Sequence, residues 1–272
     1  MWGLKTMPEL PEVETVVKQL QKKILNKTIQ KVDIIDSKVI DQKVAELAPF
    51  TINNVTRRGK SIILHLDNGY FLLTHLRMTG HFHHVTRNST DLTHKKYLCG
   101  VFHLNDSILT HNSIRRFGSV KLHTKESLQT ALSKLGPEPL DKNFTTAKFV
   151  TLISSFPNAN IKNKLLDQHC VVGIGNIYAQ EALYHASIHP EKTIKEISTK
   201  KLASLHREVK RILNIAIKNN GTTVDNYSHL DGKGDFQNLL AVYNQTKCPK
   251  KHLLKKIKQS GRSTSYCPKC QN

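Results

Sequence analysis

Six residues in the middle of the chain, LGPEPL at Leu135–Leu140, contain two prolines, and the apolar residues recur with a different period on either side of them. Proline has no backbone N–H and pushes the residue before it out of helical geometry, so neither a helix nor an interior strand runs through this stretch. A linker at 135–140 therefore divides the chain, and one helical bundle or one sheet spanning all 272 residues is excluded.

Before the linker, SIILHL, DNG and YFLLTHL read as two strands joined by an Asn-Gly turn at Asn68 and Gly69. YLCGVFHL, SILTH and SVKLH continue the alternation, which predicts an antiparallel β-sandwich over 7–134. A helix precedes the strands, because Val13, Val16, Val17, Leu20 and Ile24 share one stripe and Pro11 suits a first helical turn. After the linker, Leu202, Leu205, Val209, Ile212, Leu213, Ala216 and Ile217 mark a long amphipathic helix that ends near Asn219, Asn220 and Gly221. The expected class is α+β, with a mainly helical domain over 141–240 and a separate tail over 241–272. That tail, from Lys247 on, carries eight Lys and Arg and no acid.

Charge narrows the partner. Forty-one Lys and Arg against 21 Asp and Glu leave +20 at neutral pH, which favours a polyanion, nucleic acid ahead of an anionic membrane. No apolar run approaches the roughly 18 residues of a spanning helix, and Met1–Lys23 lacks the apolar core of a signal peptide. A cytoplasmic monomer without a membrane partner is expected. An odd count of five cysteines without an export signal points to reduced thiols and a metal site.

Three constellations carry chemistry. Cys267-Pro-Lys-Cys270 has the spacing that lets two thiolates of one turn reach a tetrahedral ion. Its upstream counterpart reads Cys248-Pro-Lys-Lys251-His252, with a lysine where the second cysteine is expected, so His252 would complete a Cys3His zinc set; the alternative is a ribbon that has lost its metal. Gly173-Ile-Gly175-Asn176 leads into a helix beginning near Ile177, where free N–H groups suit a phosphate, or it is an ordinary glycine turn. Arg115-Arg116-Phe117-Gly118 sets an aromatic among cations. Phe117 and Arg115, with Met78 of HLRMTG, fill the gap left by an extruded base, or else Phe117 and Met78 are sandwich core and the arginines are solvated; periodicity alone favours the core.

The stretch MPELPEVET at Met7–Thr15 resembles the amino terminus of the formamidopyrimidine-DNA glycosylase family, bacterial type. Similar motifs follow in order: RRGK at Arg57–Lys60, HLRMTG, RRFG, LGPEPL, LLDQ at Leu165–Gln168, GIGNIYAQEAL at Gly173–Leu183 and GRSTSYCPKCQ at Gly261–Gln271. The resemblance implies a β-sandwich with flanking helices, a helix-two-turn-helix domain and a zinc-ribbon-like β-hairpin. It also implies a bifunctional glycosylase and AP lyase that removes oxidised purines from double-stranded DNA, 8-oxoguanine and formamidopyrimidines among them, and nicks by β,δ-elimination. On matching positions Pro8 would be the nucleophile, Glu9 the acid that assists ring opening and base departure, and Glu12 a support one helical turn on. Lys60 would donate a proton for β-elimination and Arg262 for δ-elimination, Lys162 and Asn176 would bind phosphate, and Met78, Arg115 and Phe117 would fill the vacated stack.

Amine chemistry adds a condition. A mid-chain amide nitrogen cannot form an iminium, so Pro8 acts only as a chain terminus; translation from Met7 with methionine removal is expected, leaving Met1–Thr6 outside the mature protein. A chain that keeps them would bind damage without cutting it. Departures from the family pattern stand at Ser113-Ile114 for Asp-Pro, Tyr97-Leu98-Cys99 for His-Asp-His, Asn158 for a basic residue, Asp225 for an arginine, and Asn244-Gln245 for Gly-Arg. A non-catalytic lesion binder is one alternative reading. An endonuclease VIII-type glycosylase is another, against which Leu10 argues, and a purely structural zinc ribbon leaves the first 240 residues unexplained.

Overall fold

The structure, a computed structural model, describes residues 7–86, 95–223, 230 and 232–272. Met1–Thr6 and Asp225 lie outside the described residues. The chain divides into two compact units, Met1–Lys134 with Asn220–Gly234, and Leu135–Asn219 with Asp235–Asn272.

The first unit opens with α1 (Leu10–Ile24). Pro11 sits in its first turn, Glu9 and Glu12 form a reciprocal capping box, and Val13, Val16, Val17, Leu20 and Ile24 are all buried. Then come β1 (Thr28–Ile34), the short α2 (Lys43–Glu46), β2 (Phe50–Arg58), β3 (Ser61–Leu66), β4 (Phe71–His75), β5 (Gly80–Thr86), β6 (Leu98–Leu104), β7 (Ser107–Ser113), β8 (Ser119–His123) and α3 (Lys125–Leu132). Every strand pairing among these is antiparallel, in the order β5-β7-β6-β1-β2-β3-β4-β8.

That order is two four-stranded halves joined at a corner, because β1 meets β2 only through Thr28–Thr51 and Ile29–Phe50. Apolar residues of both halves, among them Phe50, Ile62, Leu72, Phe82, Phe102 and Leu109, share one core with α1, which makes the unit the expected sandwich. The Asn-Gly hairpin forms as predicted, with Gly69 at φ +81° between β3 and β4. α3 has only Leu128 buried, so it lacks the stripe that would have announced it.

The second unit holds α4 (Thr146–Ser154), α5 (Ile161–Leu166), α6 (Asn176–His185), α7 (Thr199–Lys218), and the hairpin of β9 (Lys255–Gln259) and β10 (Arg262–Tyr266). α7 buries the predicted stripe from Leu202 to Ala216 and is capped by Ser198, whose side chain accepts from Lys201 N. Between α5 and α6 the chain makes two turns closed by Gln168. Its amide donates to Leu166 O and Ile174 O, each at 2.9 Å, and accepts from Gly173 N at 2.9 Å. α6 is buried on every side from Ile177 to Tyr184. The Glu181 carboxylate in its middle accepts from Ala241, Val242 and Tyr243 N–H at 2.8–3.0 Å, fixing the segment that leads to the tail.

Candidate functional site

In the first unit the site begins at the N-terminus of α1. Pro8 and Glu9 are buried there, Glu9 at 3% exposure, and Glu12, one turn on, is equally buried. Glu12 holds two backbone groups at once: one oxygen accepts from Glu9 N at 2.9 Å, the other from Thr222 N at 2.7 Å. Gly221, at φ +74°, lies so close that a Cβ there would meet the Glu12 carboxylate at 2.8 Å, so the segment needs a glycine to reach the helix end.

Lys60 sits on the tight turn between β2 and β3, beside Gly59 at φ +57°. Arg57 anchors that turn, donating to Glu14 of α1 at 2.8 Å and to Gly59 O at 2.9 Å. Ser61 pairs with His75 of β4, which brings His75 near Lys60. Burial, then the Arg77 and Lys60 cations, push His75 down to about 4, so its ring is neutral at physiological pH. Nδ1 accepts from Arg77 N at 3.1 Å, which leaves the proton on Nε2 as a donor. Sequence reasoning did not single out His75, because nothing in HLRMTG sets its histidine apart.

Met78, Arg115 and Phe117 do come together. The Arg115 guanidinium lies over the Phe117 ring at 4.8 Å and 3.0 Å from Met78 Sδ. Phe117 is 60% exposed, which overturns the core reading that periodicity favoured: the loop between β7 and β8 turns the ring outward. Of the departures, Cys99 is core, its thiol pushed up to about 11 by burial, and its carbonyl accepts from Ile35 and Asp36 N.

In the second unit, Lys162, Asn176 and Arg262 meet around the start of β10. Asn176 Nδ2 donates to Ser263 O at 3.1 Å, and Lys162 Nζ reaches Thr264 Oγ1 at 2.7 Å although the lysine is fully buried. Gln180, one turn along α6 from Asn176, accepts from Ser265 N at 2.6 Å and also donates to Ser263 O. Arg262 is exposed at the hairpin turn, where Ser260 and Gly261 both have positive φ, the geometry of a two-residue hairpin. The helix start predicted near Ile177 is at Asn176, with Gly175 as its cap. At Asn158, the amide oxygen takes a bond from Lys195 Nζ at 3.1 Å, so a cation stands beside the position even though the residue is neutral.

The tail settles the metal question. The ligand atoms of Cys248, His252, Cys267 and Cys270 all lie within 4.8 Å of one another. His252 Nδ1 is 3.3 Å from Cys270 Sγ and 3.6 Å from Cys267 Sγ. A tetrahedral zinc with bonds of about 2.1 Å to nitrogen and 2.3 Å to sulfur sets such edges near 3.6 Å, so the donor set fits one zinc through Nδ1. Lys251 is exposed at φ +63° and stays out of the cluster. Backbone bonds from Cys248 N to His252 O and from Cys270 N to Cys267 O shape the two ligand turns.

Comparison with known proteins agrees with both units. Residues 7–120 match the formamidopyrimidine-DNA glycosylase N-terminal domain, 135–228 the H2TH domain of the same glycosylase, and 251–272 the zinc finger found in FPG and IleRS. Similar curated proteins include the formamidopyrimidine-DNA glycosylases of an Exiguobacterium species and Bacillus subtilis, 39% and 38% identical over 97% of this chain and 99% of each relative. Among solved structures, a Lactococcus lactis FPG mutant with a Fapy-dG containing DNA superposes with a TM-score of 0.91 at 33% identity, covering 97% of this chain and all of that one. The Lactococcus lactis Fpg complexed with an abasic site containing DNA gives 0.90, also at 33% identity, over 97% of this chain and 99% of that one.

Proposed function

This chain belongs to the formamidopyrimidine-DNA glycosylase family, and on that premise we propose how its own residues divide the work of excising an oxidised purine from double-stranded DNA and nicking the strand. It is a DNA glycosylase of base excision repair, with the AP lyase activity that fits the family.

Pro8, with its nitrogen free, bonds to C1′ of the damaged nucleotide as the bond from C1′ to the base breaks, and Glu9 supplies the proton that the departing base takes. The Pro8 N–H proton passes by way of Glu9 to O4′ as the C1′–O4′ bond opens, and the nitrogen lone pair forms the charged iminium. That iminium draws electrons from the C2′–H bond as its proton passes to solvent, the 3′-phosphate leaves, and a second elimination releases the other phosphate, with Lys60 and Arg262 as the proton donors. Asn176 and the neutral His75, through Nε2–H, hold backbone phosphates, whereas Lys162, fully buried, supports the hairpin through Thr264 Oγ1 in place of the phosphate contact expected of it. Asn176 has a second amide hydrogen beyond the one that Ser263 takes. Met78, Arg115 and Phe117 occupy the stack that the extruded nucleotide vacates. Cys248, His252, Cys267 and Cys270 would hold one zinc, which would brace the hairpin tail that carries Arg262.

The observation that carries this reading is the Glu9–Glu12 capping box, which fixes the acid beside Pro8 in a buried helix start. No helix among the described residues is long and apolar enough to cross a membrane. Action as a monomer in the cytoplasm, with the DNA, completes the reading. Its test is borohydride trapping on an 8-oxoguanine duplex. Protein beginning at Pro8 should form a covalent adduct with the DNA, and protein retaining Met1–Thr6 should bind without one. Absence of an adduct from the Pro8 form would overturn the catalytic assignment and leave the lesion-binding reading.

A further inference from the structure

The loop from Ser113 to Gly118 departs from the family pattern where Asp-Pro gives way to Ser113-Ile114, yet it is held tightly. Two successive backbone N–H groups go to two buried hydroxyls: Arg115 N to Thr79 Oγ1 at 2.9 Å and Arg116 N to Ser113 Oγ at 3.0 Å. The two oxygens lie 3.4 Å apart, and Thr79 and Ser113 are 2% and 1% exposed. Thr79 follows Met78 in the turn between β4 and β5, and that turn is closed by Gly80 N on Leu76 O at 2.9 Å. The hydroxyl pair therefore fastens the turn carrying Met78 to the loop carrying Arg115 and Phe117.

A third contact sorts the two arginines. Arg116 stands at φ +53°, a conformation that costs a residue with a side chain, and its Nη1 donates to Asp36 Oδ2 at 3.0 Å, with the Asp36 side chain 7% exposed. Drawn toward Asp36, Arg116 leaves Arg115 alone to stack on Phe117 and Met78. Gly118 completes the device, since a Cβ there would meet His75 O at 3.1 Å and Leu76 O at 3.4 Å.

We propose that Thr79 and Ser113, with Asp36 holding Arg116, are positioning residues that set the Met78–Arg115–Phe117 stack for entry into the duplex. The proposal rests on the glycosylase reading above.

The test compares Thr79→Val, Ser113→Ala, Asp36→Asn and the double hydroxyl variant on two substrates, using protein that begins at Pro8. One is a duplex holding 8-oxoguanine, which must be opened; the other is an abasic site in single-stranded DNA, where no stack has to be filled. The double variant should lose about tenfold in turnover on the duplex, the effect of freeing two backbone donors, and stay within twofold in trapping on the single strand. The fluorescence rise of 2-aminopurine placed opposite an abasic analogue should shrink in parallel. Thr79→Ser and Ser113→Thr should restore both readouts. Equal losses on the two substrates, or none on the duplex, would overturn the proposal. Failure of the unsubstituted protein to trap on either substrate would instead sink the glycosylase reading.

Discussion

Replacing Glu12 by glutamine tests the centre of the site with the smallest change in shape. Its carboxylate accepts from Glu9 N at 2.9 Å and from Thr222 N at 2.7 Å, and the side chain is 3% exposed, so water does not substitute for a lost bond. An amide offers one oxygen and one NH2, so one of the two backbone N–H groups must then face another donor. Losing a buried hydrogen bond to a charged group costs about 1.5–3 kcal/mol. At about 1.4 kcal/mol per factor of ten, this makes the native arrangement roughly 10- to 150-fold rarer. If the loss falls on Glu9, the proposed acid is no longer held; if on Thr222, the return segment leaves the helix end. Single-turnover borohydride trapping should slow by that factor, and the melting temperature should fall by about 3–12 °C. A Glu12→Gln protein that traps at the parent rate and melts at the parent temperature would refute the assignment of Glu12 as the tie between these two segments.

Three further outcomes follow from the geometry. Neither His111 ring nitrogen has a hydrogen-bond partner among the described residues, and burial, with a smaller push from His81, drives the ring down to about 3. The folded protein thus refuses a proton that the unfolded chain accepts near 6.5, so stability is full above that pH and drains as pH falls toward 3, by up to about 1.4 kcal/mol per unit. His111→Phe should melt above the parent by a margin that widens from pH 7 to pH 5 in thermal scans. His252→Ala should lower zinc below one per chain by elemental analysis, and cobalt in the unsubstituted protein should show thiolate charge-transfer bands that weaken further in Cys267→Ser. Glu181→Gln faces three backbone donors with one oxygen and should cost about 2–4 kcal/mol in denaturant unfolding, since the lost partner is a buried charge.

Much of this was legible along the chain because it depends on local repetition. The stripes of α1 and α7, the alternation of β3 and β4 and the Asn-Gly turn are nearest-neighbour patterns, and the cysteine spacing in the tail pointed to His252 without any coordinates. α3 escaped because one buried leucine makes no period. Periodicity alone pointed Phe117 toward the core for the reverse reason: period counts residue types, and exposure is set by how a loop turns. His75 had no local signal at all, since its neutral state comes from burial and from cations on Arg77 and on Lys60 across a strand pair.

What the sequence by itself determined is the inventory: two differently patterned halves, a surplus of positive charge, a proline and a glutamate poised at one helix start, and four metal donors. Tertiary structure alone decided the pairings among distant residues. Asn220–Gly234 belongs with the first unit although it follows the last long helix, and there Thr222, 210 positions from Glu12, donates to the carboxylate that also holds Glu9. Such a bond leaves no periodic trace, because its strength depends on distance and exclusion of water in the folded chain and not on the order in which the residues occur.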